Sequence, residues 1–148
     1  MDWFVKAFLR AALVALGLGV ALGLGMAAHP EYIIYRPAHV HLNLLGFVTM
    51  MIYGVAYHVI PRLAGAPLFS RSLAAVNLWS ATTGLAAMVA GFMILPHQAS
   101  AGRTTLVAGG LLSAGAAYLF IYNIWRTLGL APKPARRAQP TGRALPVR

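Results

Sequence analysis

His39 and His41 open an apolar run of this chain in the order Arg36-Pro37-Ala38-His39-Val40-His41-Leu42-Asn43, and His29 and His97 lie beside the ends of neighbouring runs. Neutral imidazole is a ligand for several transition metals. Four histidines gathered at one end are therefore the first chemistry the sequence offers, and copper or another divalent ion held by His29, His39, His41 and His97 is one form it could take. His58 stands apart, near the other end of the same run as His39. Cysteine is absent and Asp and Glu together number two, which excludes disulfides, thiolate metal sites, cysteine nucleophiles and paired carboxylates. No Ser-His-Asp set is present, and no Gly-rich phosphate loop opens a helix, so hydrolase and nucleotide-binding functions are set aside.

Helical phase separates His39 from His41. At about 100° per residue, His39 shares a stripe with Asn43, Gly46, Met50, Gly54 and Tyr57, which is small and polar. His41 shares one with Leu45, Val48, Ile52, Val55 and Val59, which is branched and oily. His39 is expected to face the interior, and His41 to face lipid, a partner subunit or the headgroup edge. The two rings diverge by about 200° and are poorly placed to be opposite axial ligands of one iron. His58 lies about 28 Å along the helix from His39 and cannot join the same centre. His97 could reach back toward His39 from the same face.

The elements that must position these residues are membrane spans. Of 148 residues, 59% are hydrophobic and 9% charged, against about 25% charged in an ordinary soluble domain. Between Ala11 and Trp125 the charged residues are Glu31, Arg36, Arg62, Arg71 and Arg103, and they leave uncharged runs long enough to cross a bilayer, which needs about 20 apolar residues. The fold class expected is all-α: an integral membrane four-helix bundle over 1–130, with helices at about 8–28, 38–60, 73–95 and 104–128. Pro30 and Pro37 bracket a short loop, and Pro61 and Pro96 are expected to end the second and third helices. The first helix carries Gly19-x-x-x-Gly23, a spacing that lets helix backbones approach closely. Asn77, Ser80, Thr82, Thr83, Ser113 and Asn123 suit interhelical hydrogen bonds, and Trp3, Trp79 and Trp125 suit an aromatic belt.

The net charge of +10 sets topology rather than nucleic-acid binding. Lys6, Arg10, Arg62, Arg71, Arg126, Lys133, Arg136, Arg137, Arg143 and Arg148 fall on one side, with Arg36 and Arg103 on the other, so both termini are expected in the cytoplasm. Segment 131–148 reads as a disordered basic tail that meets anionic lipid, since it has almost nothing to bury and no aromatics to stack on bases.

With these residues in hand, 12–73 resembles helices I and II of subunit I of the heme-copper oxidases, above all cbb-type oxidases and nitric oxide reductases. Arg36-Pro37-Ala38-His39 is similar to the Arg-Pro-x-His that starts the cbb-type second helix, and Tyr57-His58-Val59-Ile60-Pro61-Arg62 sits where that helix ends. The resemblance implies that His39 is an axial ligand of low-spin heme b and that Arg36 pairs with a heme propionate. His41-Leu42-Asn43-Leu44-Leu45 also resembles the His-Thr-Asn-Leu-Leu of nitric oxide reductases, which would give the role to His41; the facial argument favours His39. Asn43 and His97 complete the candidate cofactor-binding set. Four helices do not supply the family's copper ligands or its helix X histidines, so oxygen reduction by this chain alone is not expected. The expectation is a heme-binding protein of respiratory electron transfer, sensing or assembly, in a bacterial inner membrane. Metal handling and a heme-free structural subunit are the alternatives. The second axial donor is expected from His97, or from another copy in a homo-oligomer or from respiratory complex subunits.

Overall fold

In a computed structural model that describes residues 1–131, the chain is four membrane-length helices, with no strand among the described residues. They are α1 (Trp3–Ala28), α2 (Pro30–Leu63), α3 (Arg71–Ile94) and α4 (Ala99–Gly129). The shortest has 24 residues, about 36 Å at 1.5 Å per residue against about 30 Å of hydrocarbon. Their outer faces carry Leu13, Leu18 and Leu24 on α1 and Val107, Leu111, Ile121 and Trp125 on α4, each more than half exposed. So large an apolar surface is stable only against lipid. The chain is an integral membrane protein. The expected basic tail falls, beyond Ala131, outside the described residues.

Several helix limits differ from the sequence expectation, each for a local reason. α1 begins at Trp3 rather than Phe8 because Phe4, Val5 and Phe8 are buried, with Phe4 against Tyr57 at 5.8 Å and Phe8 against Tyr53 at 5.7 Å between ring centroids. The expected loop from Pro30 to Pro37 is instead a 3₁₀ turn, Pro30–Tyr35, that runs directly into α-helix at Arg36. Both prolines sit in a first turn, where no N–H is needed. Nor does α2 end before Pro61: it continues to Leu63, so close to its end that the missing N–H costs one bond. Ala64 and Ala66 then donate to the carbonyls of Ile60 and Pro61, and Gly65 turns the chain at φ 62°. α4 starts at Ala99, ahead of Thr104.

α3 and α4 form an antiparallel pair built on a seven-residue repeat. Ser70, Asn77, Gly84 and Gly91 lead down one strand of the pair and meet Asn123, Ala116, Gly109 and Gly102 in turn on the other. At the two glycine levels the backbones touch: a Cβ on Gly84 would stand 3.0 Å from the Gly109 carbonyl oxygen, and one on Gly91 would stand 3.1 Å from that of Gly102. At the polar levels Asn77 Nδ2 donates to the Ala116 carbonyl at 2.7 Å, while Asn123 accepts from Ser70 N–H at 3.1 Å and donates to Ser70 O at 2.8 Å. Without a hydrophobic drive between helices in lipid, close backbone approach and interhelical hydrogen bonds hold such a pair. Its seven-residue period keeps the seam on one face over the full length.

α2 changes its winding partway. Arg36–His41 is α-helical, Leu42–Thr49 is π-helical, and Met50–Leu63 is α-helical again. The Thr49 hydroxyl donates to the Leu44 carbonyl at 2.9 Å, five residues back. This winding explains why Ala38, Leu42, Gly46 and Met50 are all buried, although steps of four drift by about 120° over that length in an α-helix. The wider π turns absorb the drift.

Candidate functional site

His39 lies where α2 crosses α1, and the glycines of α1 make the space for it. A Cβ on Gly23 would stand 2.8 Å from His39 Cε1, and one on Gly19 would stand 2.7 Å from Asn43 Nδ2. The Gly19-x-x-x-Gly23 spacing thus admits the side chains of His39 and Asn43, one turn apart, rather than a bare backbone. His39 Nδ1 lies 2.8 Å from the Gly19 carbonyl oxygen. A carbonyl can only accept, so Nδ1 carries the proton and donates. Asn43 Nδ2 donates to the His39 carbonyl at 2.8 Å, and its 3.5 Å approach to His39 Nδ1 is a contact between two donors. The consequence is chemical: with Nδ1 fixed as donor, Nε2 of His39 keeps its lone pair, the arrangement that orients a metal-ligating imidazole.

His41 points elsewhere. Its ring packs on Phe92 of α3 at 4.7 Å between centroids, and its Nδ1 donates to the Pro37 carbonyl at 2.8 Å. The expectation that His41 faces lipid, a partner subunit or the headgroup edge is corrected here: the ring is half-buried against a helix of its own chain, because α3 comes alongside the outer end of α2. Of its stripe, Val48, Ile52, Val55 and Val59 do face outward and are exposed, whereas Leu45 is partly buried against the core.

The remaining histidines engage other partners. The Tyr35 hydroxyl and His97 Nε2 are 3.0 Å apart, tying the α1–α2 turn to the α3–α4 turn. His29 Nδ1 stands 3.2 Å from a Glu31 carboxylate oxygen, with both side chains more than half exposed. His58 accepts from Arg62 Nη1 at 2.8 Å, at the opposite end of α2. Among the described residues no group of three or more His, Asp or Glu side chains could hold a metal ion, so His29, His39, His41 and His97 are not brought together. Arg36 is exposed beside Pro37 at the outer end of α2, on the same end as His39. Between α1, α2 and α3 lies an apolar crevice of about 450 Å³, reaching from Leu18 and Leu42 to Thr82 and Val89.

The donor these residues could offer a heme iron is therefore a single imidazole with a free Nε2, braced by a carbonyl and admitted by a glycine. No second axial donor stands with it among the contacts of the described residues.

This chain belongs to the family described as Cytochrome C and Quinol oxidase polypeptide I, which matches residues 3–147. It is similar to cytochrome c oxidase subunit 1 of Rhodobacter capsulatus, 29% identical over 133 residues that take in 73% of this chain and 25% of that protein. It is also similar to the cbb3-type cytochrome c oxidase subunit CcoN1 of Stutzerimonas stutzeri, 26% identical over 158 residues, 86% of this chain and 33% of that protein. The chain spans a quarter to a third of the length of the relatives it matches. A respiratory oxidase-related membrane protein is what fold and family together define.

Proposed function

We propose that this chain binds one b-type heme through Nε2 of His39 and takes part in respiratory electron transfer, sensing or assembly in a bacterial inner membrane. The observation that carries the reading is the His39 brace: Nδ1 donates to Gly19 O at 2.8 Å, and the absent Cβ of Gly23 leaves room for the ring. A bound b-type heme would supply a reversible one-electron centre. His39 would hold it, Asn43 would hold the backbone carbonyl of His39, and Arg36, at the same end of α2, would meet an anionic propionate in a charge-assisted contact. The second axial donor would come from outside the four helices, from a second copy or another subunit, because His97 is engaged by Tyr35 and His41 faces Phe92.

The test is a pyridine hemochrome assay and Soret spectrum on detergent-purified chain loaded with hemin. A b-type spectrum with about one heme per chain is expected. A colourless protein that takes up no hemin overturns the proposal and leaves a structural role.

A further inference from the structure

An apolar crevice and an unpaired cation lie end to end along α1. The crevice, about 450 Å³, has Val14 and Leu18 of α1 on one wall, Ala86 and Ala90 of α3 on the other, and Leu42 and Met50 of α2 at its floor. From Ala11 to Leu18 it follows α1 for about 10 Å, the direction in which lipid chains cross the bilayer. Its floor is narrow: a Cβ on Gly46 would stand 2.5 Å from Ala15 Cβ and 2.9 Å from Leu85 Cδ2, so α1 and α3 nearly touch there. A helix, about 10 Å across, cannot enter, whereas a polymethylene chain can. The hydroxyl in the lining, that of Thr82, donates to the Leu78 carbonyl of its own helix at 2.8 Å, so the crevice suits hydrocarbon and penalises a polar ligand.

Arg10 stands one turn before Val14, about 40° from it around α1, and Lys6 stands one turn before Arg10; both cations are exposed. Among the described residues neither pairs with a carboxylate, because Asp2 is held by Arg71 and Glu31 stands beside His29 at the other end of the bundle. An arginine within a membrane helix sends its guanidinium along the apolar surface to the headgroups. Helical side chains lean toward the N-terminus, and for α1 that is the direction of the nearer headgroups. A phosphate that meets Arg10 therefore belongs to a lipid whose chains begin level with this end of the crevice.

We propose that the crevice holds one acyl chain of an anionic phospholipid whose phosphate is bound by Arg10, with Lys6 beside it. The phosphate meets the guanidinium in a charge-assisted contact, and the chain passes between Val14 and Ala86 toward the middle of the bilayer. Charge selects the headgroup: two cations stand ready for negative charge, while the Asp2 carboxylate that could meet an ammonium is taken by Arg71. The chain would give the facing walls of α1 and α3 the dispersion contacts that an unfilled cleft lacks, and it would stabilise the bundle by mass action. None of this depends on the heme reading.

The test uses the full chain, stripped of lipid in detergent, with adducts read by native mass spectrometry and stability by thermal unfolding. Dipalmitoyl phosphatidylglycerol is expected to give a one-to-one adduct and to raise the melting temperature. Dipalmitoyl phosphatidylethanolamine should bind about fivefold more weakly, and Arg10→Gln should remove that preference. Ala86→Phe, which fills the crevice, should weaken phosphatidylglycerol binding about tenfold, whereas Ala108→Phe on the exposed face of α4 should bind as the unmodified chain does. Arg10 is exposed, so its variant carries the test even if Ala86→Phe fails to fold. Four results overturn the proposal: no discrete adduct, equal binding of the two lipids by the unmodified chain, an undiminished preference in Arg10→Gln, or an undiminished adduct in folded Ala86→Phe. Stabilisation by inorganic phosphate equal to that by phosphatidylglycerol also overturns it, since the anion would then bind without the crevice.

Discussion

The imidazole Nδ1 of His39 and the carbonyl oxygen of Gly19 lie 2.8 Å apart across the α1–α2 contact, and that bond fixes which ring nitrogen can act as a ligand. Gly19 N–H and C=O belong to the α1 backbone, so the acceptor cannot rotate away as a side chain could. Gly23, one turn further along α1, contributes by having no side chain. Close helix packing and orientation of the imidazole are here one arrangement, since the glycines that bring α1 against α2 also admit His39 and Asn43.

A first prediction follows for Gly23. Its missing Cβ would lie 2.8 Å from His39 Cε1, so Gly23→Leu should expel the ring from its slot. Hemin affinity, followed by Soret titration, is expected to fall tenfold or more. Gly17→Leu, on the same helix with nothing within 4 Å of its Cβ position, should bind as the unmodified chain does. Equal weakening in both variants would show that the effect comes from α1 as a whole and not from the slot.

The seven-residue seam between α3 and α4 gives a second comparison, between neighbours. A Cβ on Gly109 would meet the Met88 backbone nitrogen at 2.6 Å, whereas one on Gly110 meets nothing within 4 Å. Overpacking typically costs about 1–3 kcal/mol, and backbone contact leaves little room for relaxation. Gly109→Leu is expected to lower thermal stability in detergent by at least that amount, with Gly110→Leu within about 0.5 kcal/mol of the parent. Similar melting curves for the two would refute the seam.

Much of this architecture is legible in the residues themselves. The four apolar runs are four helices, and the stripe that joins His39 to Gly46, Met50, Gly54 and Tyr57 is, from Gly46 on, buried. The π segment is not legible, because phase counted at 3.6 residues per turn treats Ala38, Leu42, Gly46 and Met50 as a drifting set; only their common burial reveals the wider winding. The α3–α4 seam was within reach, since Asn77, Gly84 and Gly91 are spaced by seven. Read one at a time, those residues are generic small or polar positions. The partner of His97 is set by how two turns meet, a long-range relation that local pattern does not encode.

The polar levels of the same seam should not be equivalent. Asn123 serves both the N–H and the C=O of Ser70, and the Thr127 hydroxyl accepts from Phe69 N–H at 3.0 Å. Asn123→Leu therefore leaves the Ser70 N–H without a partner, at about 1–3 kcal/mol, and takes from the Ser70 carbonyl its closer donor, leaving Ala74 N–H at 3.4 Å. Asn77→Leu removes one bond to Ala116 O, but it also removes a buried Oδ1 that has no partner. Thermal unfolding in detergent is expected to show the larger loss for Asn123→Leu. The reverse order would mean that the Asn77 bond carries the pair.

Topology yields a prediction from charge. Asp2 pairs with Arg71, and Asn123 near the end of α4 binds Ser70, so the N-terminus, the α2–α3 turn and the end of α4 lie at one end of the bundle. Among the described residues that end carries Lys6, Arg10, Arg62, Arg71 and Arg126, against Arg36 and Arg103 at the other, so the positive-inside rule predicts that it lies in the cytoplasm. A reporter fused after Arg148 should be active only if it folds in the cytoplasm. Activity of a periplasm-dependent reporter there would invert the orientation and put His39 near the cytoplasmic face.

His97 supplies the last test, because it separates two sources for the second axial donor. Its Nε2 lies 3.0 Å from the Tyr35 hydroxyl in an exposed bond between turns, and a neutral bond of that kind contributes about 0.5–1.5 kcal/mol at most. His97→Ala should therefore cost little stability. If the second donor comes from another copy or subunit, the same variant should also leave the spectrum of hemin-loaded chain unchanged. Tyr35→Phe removes the hydroxyl and frees Nε2 of His97 without deleting the ring, so it gives the complementary reading: a ring recruited to iron would convert a high-spin spectrum to low-spin. A low-spin spectrum in the unmodified chain that collapses in His97→Ala would show that the α3–α4 turn moves to bring His97 to the iron, against the donor's coming from outside the four helices. A spectrum indifferent to both substitutions, in a species whose mass in detergent is that of a dimer, would place the donor on the second copy.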